Sequence, residues 1–545
     1  MKVSFGFDAL RAGLGDAFVD ELTYPGIFRG APESVLPVLL EDGQRRALLI
    51  NEADSAAHAA IHGQADLLTY GRYFTWDRDI SAPPEGMGGL LRRLTGPAPV
   101  PLPASLPMGR YREIAATGPV ALERGEVVRY RRRRIRRDGI EAQWCATRDR
   151  DAARLVPFVA GLRHGDVLGA ALGAGELSFA PLDALCSEAG LGALLVSAPH
   201  EVEMFSGLPA AVNERLGILA CFIPGAAEIE LFLSGEGEMP GLAVSAPDGG
   251  GSLPDLLRGL AAGPVGALPV HLGAGEWLAL EQAGLDMRDG SAPLRRWQDL
   301  RAGGDLVYFI VAAHAVLAGY EDIRSFLDRA GGVELRERDL VAIGRQGAER
   351  FARRHGFGGR LSGCFAILHS GARTLLPATA GDYPVCARDR TIAMDTGYFC
   401  HDDMGCVRGV SDIARTICAE PALREIHDAL RATLVDVLIP GLKPGMSGAE
   451  AHAFGQGSLR PLEPALRGAG LLPDGAGIDG YRRDCGHALQ RQTISSVYFL
   501  PGNEARLEAG MVGCGEFVWP TGDVLLAVED GYYLTPQGGV PFTCE

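Results

Sequence analysis

The sequence predicts a mixed α/β protein built from several packing units. A length of 545 residues, at about 100 to 200 residues per domain, divides into roughly three or four units. A composition of 47% hydrophobic and 22% charged residues can bury several ordinary cores and excludes disorder along the whole chain. Short apolar runs of strand length alternate with stretches of helical spacing, which is the α/β pattern. Lysine plus arginine number 52 against 68 aspartates and glutamates, a formal charge of −16 that disfavours nonspecific attraction to nucleic acid or anionic membranes.

In chain order, residues 46–50 (Arg-Ala-Leu-Leu-Ile) predict a buried strand and residues 53–65 a helix. Residues 81–107 are crowded with proline and glycine and read as a connecting loop. Seven arginines follow between Arg129 and Arg137; they suit either a phosphate contact or, in an acidic protein, a solvated face bridged to acidic neighbours. Residues 182–191 have helical spacing and stop at a glycine, after which 193–197 predict a strand. Strands at 216–222 and 229–233 and a helix at 253–260 complete a second α/β unit. The echo Leu-Gly-Ala-Gly-Glu at 172–176 and 272–276 lacks the third glycine of a dinucleotide fingerprint and marks turns. A helix-rich stretch runs from 292 to 354, with apolar strands at 365–368 and 391–394.

Residues 306–319 form the longest apolar run, too short for a bilayer and interrupted by His314, so a buried helix is expected there. The first eight residues lack both a basic segment and a long apolar run, and a cytoplasmic protein is expected. The eleven cysteines are scattered without any CxxC pair, which indicates reduced thiols and neither a disulfide framework nor a thiolate zinc site.

Chemistry concentrates in the last third. Five acid or imidazole side chains sit within or beside apolar runs: Asp395 in Met394-Asp395-Thr396-Gly397, Asp412 in Ser411-Asp412-Ile413-Ala414-Arg415-Thr416, His487 in Cys485-Gly486-His487, Glu516 in Gly510-Met511-Val512-Gly513-Cys514-Gly515-Glu516, and Glu529 in Val528-Glu529-Asp530-Gly531. Burying four carboxylates in one place is costly unless cations compensate them. Oxygen-rich donors with a single imidazole suit manganese or iron, with zinc or cobalt possible. Spacing alone is equally compatible with five unrelated turn or surface groups.

The order of these motifs resembles that of the pita-bread metallopeptidases: aminopeptidase P, prolidase and creatinase. The resemblance implies two creatinase-type N-terminal α/β domains, at 1–175 with a connecting segment and at 176–290, followed by a pita-bread catalytic domain at 291–545. It implies that Asp395, Asp412, His487, Glu516 and Glu529 bind one or two divalent metal ions, with Glu516 also carrying the proton. It further implies a homodimer acting on a small-molecule or short peptide-like substrate. Upstream, residues 193–209 are similar to the family's noncatalytic domain.

Several departures bear on activity. Where the family places a histidine in a Pro-His-Tyr-like segment, this chain has Leu375-Leu376-Pro377-Ala378-Thr379. No second histidine follows His487 within residues 488–495, and Ala527 stands where the family carries an arginine. Each lost donor to the scissile carbonyl or carboxylate is worth roughly 3 kcal/mol, so ordinary Xaa-Pro cleavage is expected to be weakened. Asp395 and Asp412 are seventeen residues apart, wider than the family's hairpin, and the extra segment offers His401, Asp402 and Asp403 as a new acid, base or ligand, or as a plain turn. His369 is a further imidazole, either a substitute or structural. Glu516 and Glu529 are only thirteen apart, which implies a trimmed loop.

The expectation is therefore a metal-dependent enzyme on an aminopeptidase P-like scaffold, hydrolysing a C–N bond of a small non-standard substrate, with Glu516, His401 and Asp403 as catalytic groups. Alternatives are an iron-dependent lyase or redox enzyme on the same fold, a true Xaa-Pro aminopeptidase, and a non-catalytic binding module.

Overall fold

The computed structural model describes residues 2–5, 38–42, 45–51 and 66–70, and from 87 to 544 all but 124, 126–127, 176, 238, 240–249, 331–332, 376–379, 387–388, 473–474, 482, 493 and 522–523. The helix expected at 53–65, the start of the loop at 81–86 and most of the segment 375–379 lie outside the described residues.

Strands β1 (Lys2–Phe5), β2 (Val38–Asp42), β3 (Arg45–Asn51) and β4 (Asp66–Tyr70) form one sheet in that order, so the strand read at 46–50 is present as β3. The proline-rich stretch is not all loop. It holds the helix Met87–Thr95 and β5 (Val100–Leu102), which pairs in parallel with β6 (Val120–Leu122). Met87, Leu90 and Leu91 are buried at helical spacing, and that apolar face overrides the local density of glycine and proline.

A seven-stranded sheet follows. Its members are β7 (Arg129–Arg136), β8 (Ala193–Val196), β9 (Ile218–Phe222), β10 (Glu228–Leu233), β11 (Gly250–Ser252), β12 (Val265–Ala267) and β13 (Met287–Asp289), in the order β11-β7-β10-β9-β8-β12-β13. The arginine run is thus a strand of this second sheet. Arg132 and Arg134 both donate to Glu230 on the neighbouring β10, at 2.6 and 2.7 Å, so the run bridges acidic neighbours. The predicted helix at 182–191 is the helix Ala180–Glu188, closed by Gly190 at φ +66°.

The C-terminal unit is built around the helix Leu306–Ala330, which is buried over most of its length; His314 sits 2.7 Å from the Phe542 carbonyl. The helix Glu337–Arg354 packs against it, flanked by the short pair β14 (Leu335–Arg336) and β16 (Pro384–Val385). One sheet holds β15 (Leu361–Ser370), β17 (Thr391–His401) and β18 (Val407–Val410), with β19 (Ile413–Cys418) pairing the first half of β17. A second holds β20 (Gly486–Leu489), β21 (Ile494–Tyr498), β22 (Val512–Thr521), β23 (Val524–Thr535) and β24 (Gly538–Pro541), in the order β21-β20-β22-β23-β24. The sheets meet through Ala393, Ala414, Val518, Leu525 and Ala527, and Ala527 N–H donates to Thr416 Oγ1 at 2.9 Å. The three alanines at this seam let β17, β19 and β23 approach closely.

Candidate metal centre

Strand register decides which side chains share a face. Asp395 on β17 pairs with Ala414 on β19, so Asp412, two residues before Ala414, lies on the same face as Asp395. On the second sheet Glu516 sits directly opposite Glu529, and His487 pairs with Cys514, two residues before Glu516. His487, Glu516 and Glu529 therefore share the face that meets the first sheet. Ser411, whose Oγ accepts from Tyr398 N–H at 3.0 Å, fixes the turn that delivers Asp412.

The outcome is convergence. Ligand atoms of Asp412, His487 and Glu529 lie within 4.8 Å of one another. His487 Nε2 is 3.6 Å from both Asp412 Oδ2 and Glu529 Oε1. Asp395 joins through its contact with Asp412, and Glu516 feels the charges of Asp484, Asp395 and Asp412. Burial pushes the Asp395 carboxyl up to about 7. Burial, reinforced by Asp395, raises Asp412 well above the usual carboxylate range. Burial, together with neighbouring carboxylates, does the same at Glu516 and Glu529, and burial alone drives His487 down to about 4. Burial, reinforced at the carboxylates by neighbouring acids, thus sets all five groups against charge.

The donors fit divalent cations. Asp395 Oδ1, Glu529 Oε1 and His487 Nδ1 are shut from solvent and have no hydrogen-bond partner. A buried carboxylate left unsatisfied is expensive, and four oxygen donors with one imidazole are a set that a hard or borderline divalent ion satisfies.

His401 and Asp403 are not at this cluster, contrary to expectation. β17 is eleven residues long, and its second half pairs with β18, so the extra residues lengthen the hairpin away from the site. His401 closes the strand six residues beyond Asp395, about 20 Å at the usual strand rise. Its Nε2 is 2.7 Å from Ser362 Oγ and its Nδ1 3.0 Å from the Gly405 carbonyl. Asp403 is paired with Arg360 at 2.9 Å and with Arg150. Asp402 accepts from Met404 N–H and Cys406 N–H, both at 3.0 Å, and ties the turn. His369 lies closer: it shares the face of Asp395, lining with Asp395, Thr374 and Ala527 a cavity of about 10 Å³, room for one water. Its Nδ1 is 2.8 Å from Glu337 Oε1, which also accepts from Arg373. Asp484, buried and acting on Asp395, Asp412 and Glu516, is a fifth acid that sequence reasoning passed over.

A family model described as "Metallopeptidase family M24" matches residues 310–542, a span that contains all five donors. Over that span the C-terminal unit, hereafter the M24 unit, matches metallopeptidase family M24. Its fold is the pita-bread fold, and the family's divalent metals accord with the donor set. Among solved structures, the chain is similar to an Xaa-Pro dipeptidase from Bacillus anthracis, 18% identical over 67% of this chain and 96% of that one, with a TM-score of 0.49. It is also similar to a prolidase from Pyrococcus furiosus, 17% identical over 67% and 99%, TM-score 0.47. The N-terminal domain of FACT complex subunit SPT16 from Cicer arietinum is 13% identical over 67% and 95%, TM-score 0.47. No curated protein sequence matches the chain.

Proposed function

We propose that the M24 unit is a metal-dependent hydrolase that cleaves a C–N bond of a small, non-standard substrate. The observation that carries this reading is the convergence of Asp412, His487 and Glu529 within 4.8 Å, with Glu516 facing Glu529 and Asp395 touching Asp412. A set of mutually repelling buried carboxylates has a physical reason to persist only where a cation is held. When bound, one or two such ions, manganese or iron first by donor type, supply an acidified water and a Lewis-acid contact for the substrate oxygen. Asp395, Asp412, His487 and Glu529 hold and orient them, and Glu516 carries the proton from water to the leaving nitrogen.

What surrounds the centre supports a substrate other than an ordinary Xaa-Pro peptide. Ala527 stands at the family's arginine position and packs among Ala393, Ala414, Val518 and Leu525, so apolar surface replaces a carboxylate clamp. The imidazole nearest Asp395 in the cavity, His369, is held by Glu337. A true Xaa-Pro aminopeptidase is the second reading, favoured by His369 sharing the face of Asp395.

The test uses purified full-length protein loaded with manganese or ferrous iron, a panel of Xaa-Pro dipeptides and small amides, amidines and ureas, and heavy-oxygen water. Manganese sufficiency, with labelled oxygen in the product of a non-peptide substrate, is the expected result. Preferential turnover of Xaa-Pro dipeptides selects the second reading. An absolute need for iron and dioxygen selects lyase or redox chemistry, and absence of metal affinity removes the enzyme altogether.

A further inference from the structure

Outside the carboxylate centre, the second sheet's unit brings two imidazoles and a carboxylate together. The helix Pro199–Ser206 opens with His200 and Glu201, and the turn before the helix Ala274–Gln282 brings His271 against them. Ligand atoms of the three lie within 4.8 Å of one another. The His200 and His271 rings meet edge to face at 5.4 Å, and His271 Nε2 is 3.7 Å from Glu201 Oε1. That separation is too long for a hydrogen bond. It is close to the roughly 3.4 Å that separates two ligands placed tetrahedrally about 2.1 Å from one ion.

Burial disfavours charge on Glu201, although His271, His200 and Arg295 outweigh it and hold the carboxyl below its ordinary range. The Glu201 and His271 side chains are only 8% and 6% exposed, and Glu201 Oε2 and His271 Nε2 have no hydrogen-bond partner. Both atoms belong to groups whose unsatisfied burial is unfavourable, and both are metal-ligand atoms. The backbone on each side is fixed. His271 N–H donates to the Leu268 carbonyl at 3.0 Å, Met108 N–H donates to Leu272 at 3.0 Å, and the His200 carbonyl accepts from Gln492 Nε2 at 3.2 Å. The last contact places the cluster where this unit meets the turn that follows β20 of the M24 unit.

We propose that His200, Glu201 and His271 form a second metal site, separate from the carboxylate centre, for a divalent transition ion of the zinc class, with further coordination positions open to water. Two imidazoles and one carboxylate select borderline ions, whereas the four-carboxylate centre favours manganese or iron. An ion here clips the helix Pro199–Ser206 to the loop carrying His271, directly beside the contact with the M24 unit.

The test measures bound metal in the full chain by mass spectrometry after chelator stripping and equilibration with zinc, and records the visible absorption of the cobalt-loaded protein. The Asp412→Asn/Glu529→Gln protein, disabled at the carboxylate centre, is expected to retain about one zinc per chain, with cobalt bands that report nitrogen ligation. Adding Glu201→Gln or His271→Ala separately should abolish both signals, while melting curves confirm that each protein is folded. Near-isosteric Glu201→Gln guards against loss of the fold in the histidine variant. Absence of zinc from the Asp412→Asn/Glu529→Gln protein, or its retention in folded Glu201→Gln and His271→Ala versions of it, overturns the proposal.

Discussion

Asp412 carries a charge conflict in the M24 centre, because Asp395 and Asp484 both act against the charge on a carboxyl that burial already disfavours in its charged form, and only the hydrogen bond with Glu529 works the other way. Asp412→Asn removes one repelling group and one ligand, so its effect on stability should change sign with metal. Metal-free protein should melt at a higher temperature than wild type, and manganese-saturated protein at a lower one; calorimetry with and without chelator checks both. Asp305 is the opposite case. Burial pushes its carboxyl up, but Arg408, Arg301 and Arg491 outweigh it and hold the group below its ordinary range. A carboxyl lowered in the folded state contributes stability above its unfolded pKa of about 4, and loses it as pH falls through the lower folded value. Asp305→Asn should cost about 3–5 kcal/mol at neutral pH by stranding buried guanidinium groups, and the deficit should shrink in acid; urea midpoints against pH measure it. The five candidate donors were legible only through the order of their short motifs, which resembles that of the pita-bread metallopeptidases; spacing alone left five unrelated groups equally open. Asp484 was not, since a lone acid before Gly-His has no period or spacing to mark it. His401 and Asp403 misled because nearness to Asp395 in sequence, along an extended strand, means distance in space.

At the scale of elements, delivery of His487 depends on the strand start at Gly486. This residue has φ +126°, and a Cβ added there would stand 2.2 Å from the Cys514 carbonyl on β22. Neither the backbone conformation nor the strand spacing tolerates a side chain. Gly486→Ala should therefore push β20 away from β22 and displace His487, weakening manganese affinity by at least about tenfold while far-ultraviolet circular dichroism stays near wild type; isothermal titration provides the comparison. Sequence patterning located β8, β9 and β10 of the second unit and, among the strands that carry the site, the start of β17, because buried strands carry continuous apolar runs. It failed at the helix Met87–Thr95 and at β5. There Pro101 and the neighbouring glycines obscured an apolar face that only tertiary packing against Ile114 and Val38 makes decisive. The arginine run hid a strand for a related reason: alternation is invisible when both faces carry the same residue, and Glu230 on the partner strand is what satisfies it.

The whole molecule joins its second unit to the M24 unit through buried polar groups. Glu203 accepts from Val407 N–H at 3.2 Å and from Gln492 Nε2, while Arg408 donates to Asp305 at 2.8 Å and reaches Asp402 at 3.3 Å. Removing one member of such a network strands the others, so the units should unfold together as long as it is intact. The candidate M24 donors span Asp395 to Glu529 and both sheets, so an ion held there as proposed would add to the folding free energy of that unit, about 2.7 kcal/mol when the free ion is at 100 times its dissociation constant. Trp519 reports on the M24 unit, and Trp297, stacked on Phe179 at 5.4 Å, reports on the second. With single-tryptophan variants, manganese should raise both urea midpoints together in the otherwise wild-type chain. In Asp305→Asn it should raise the Trp519 midpoint and leave the Trp297 midpoint behind. If both midpoints still move together in that variant, the coupling does not run through Asp305; if the Trp519 midpoint fails to respond to manganese in the otherwise wild-type chain, the ion is not held by the two sheets.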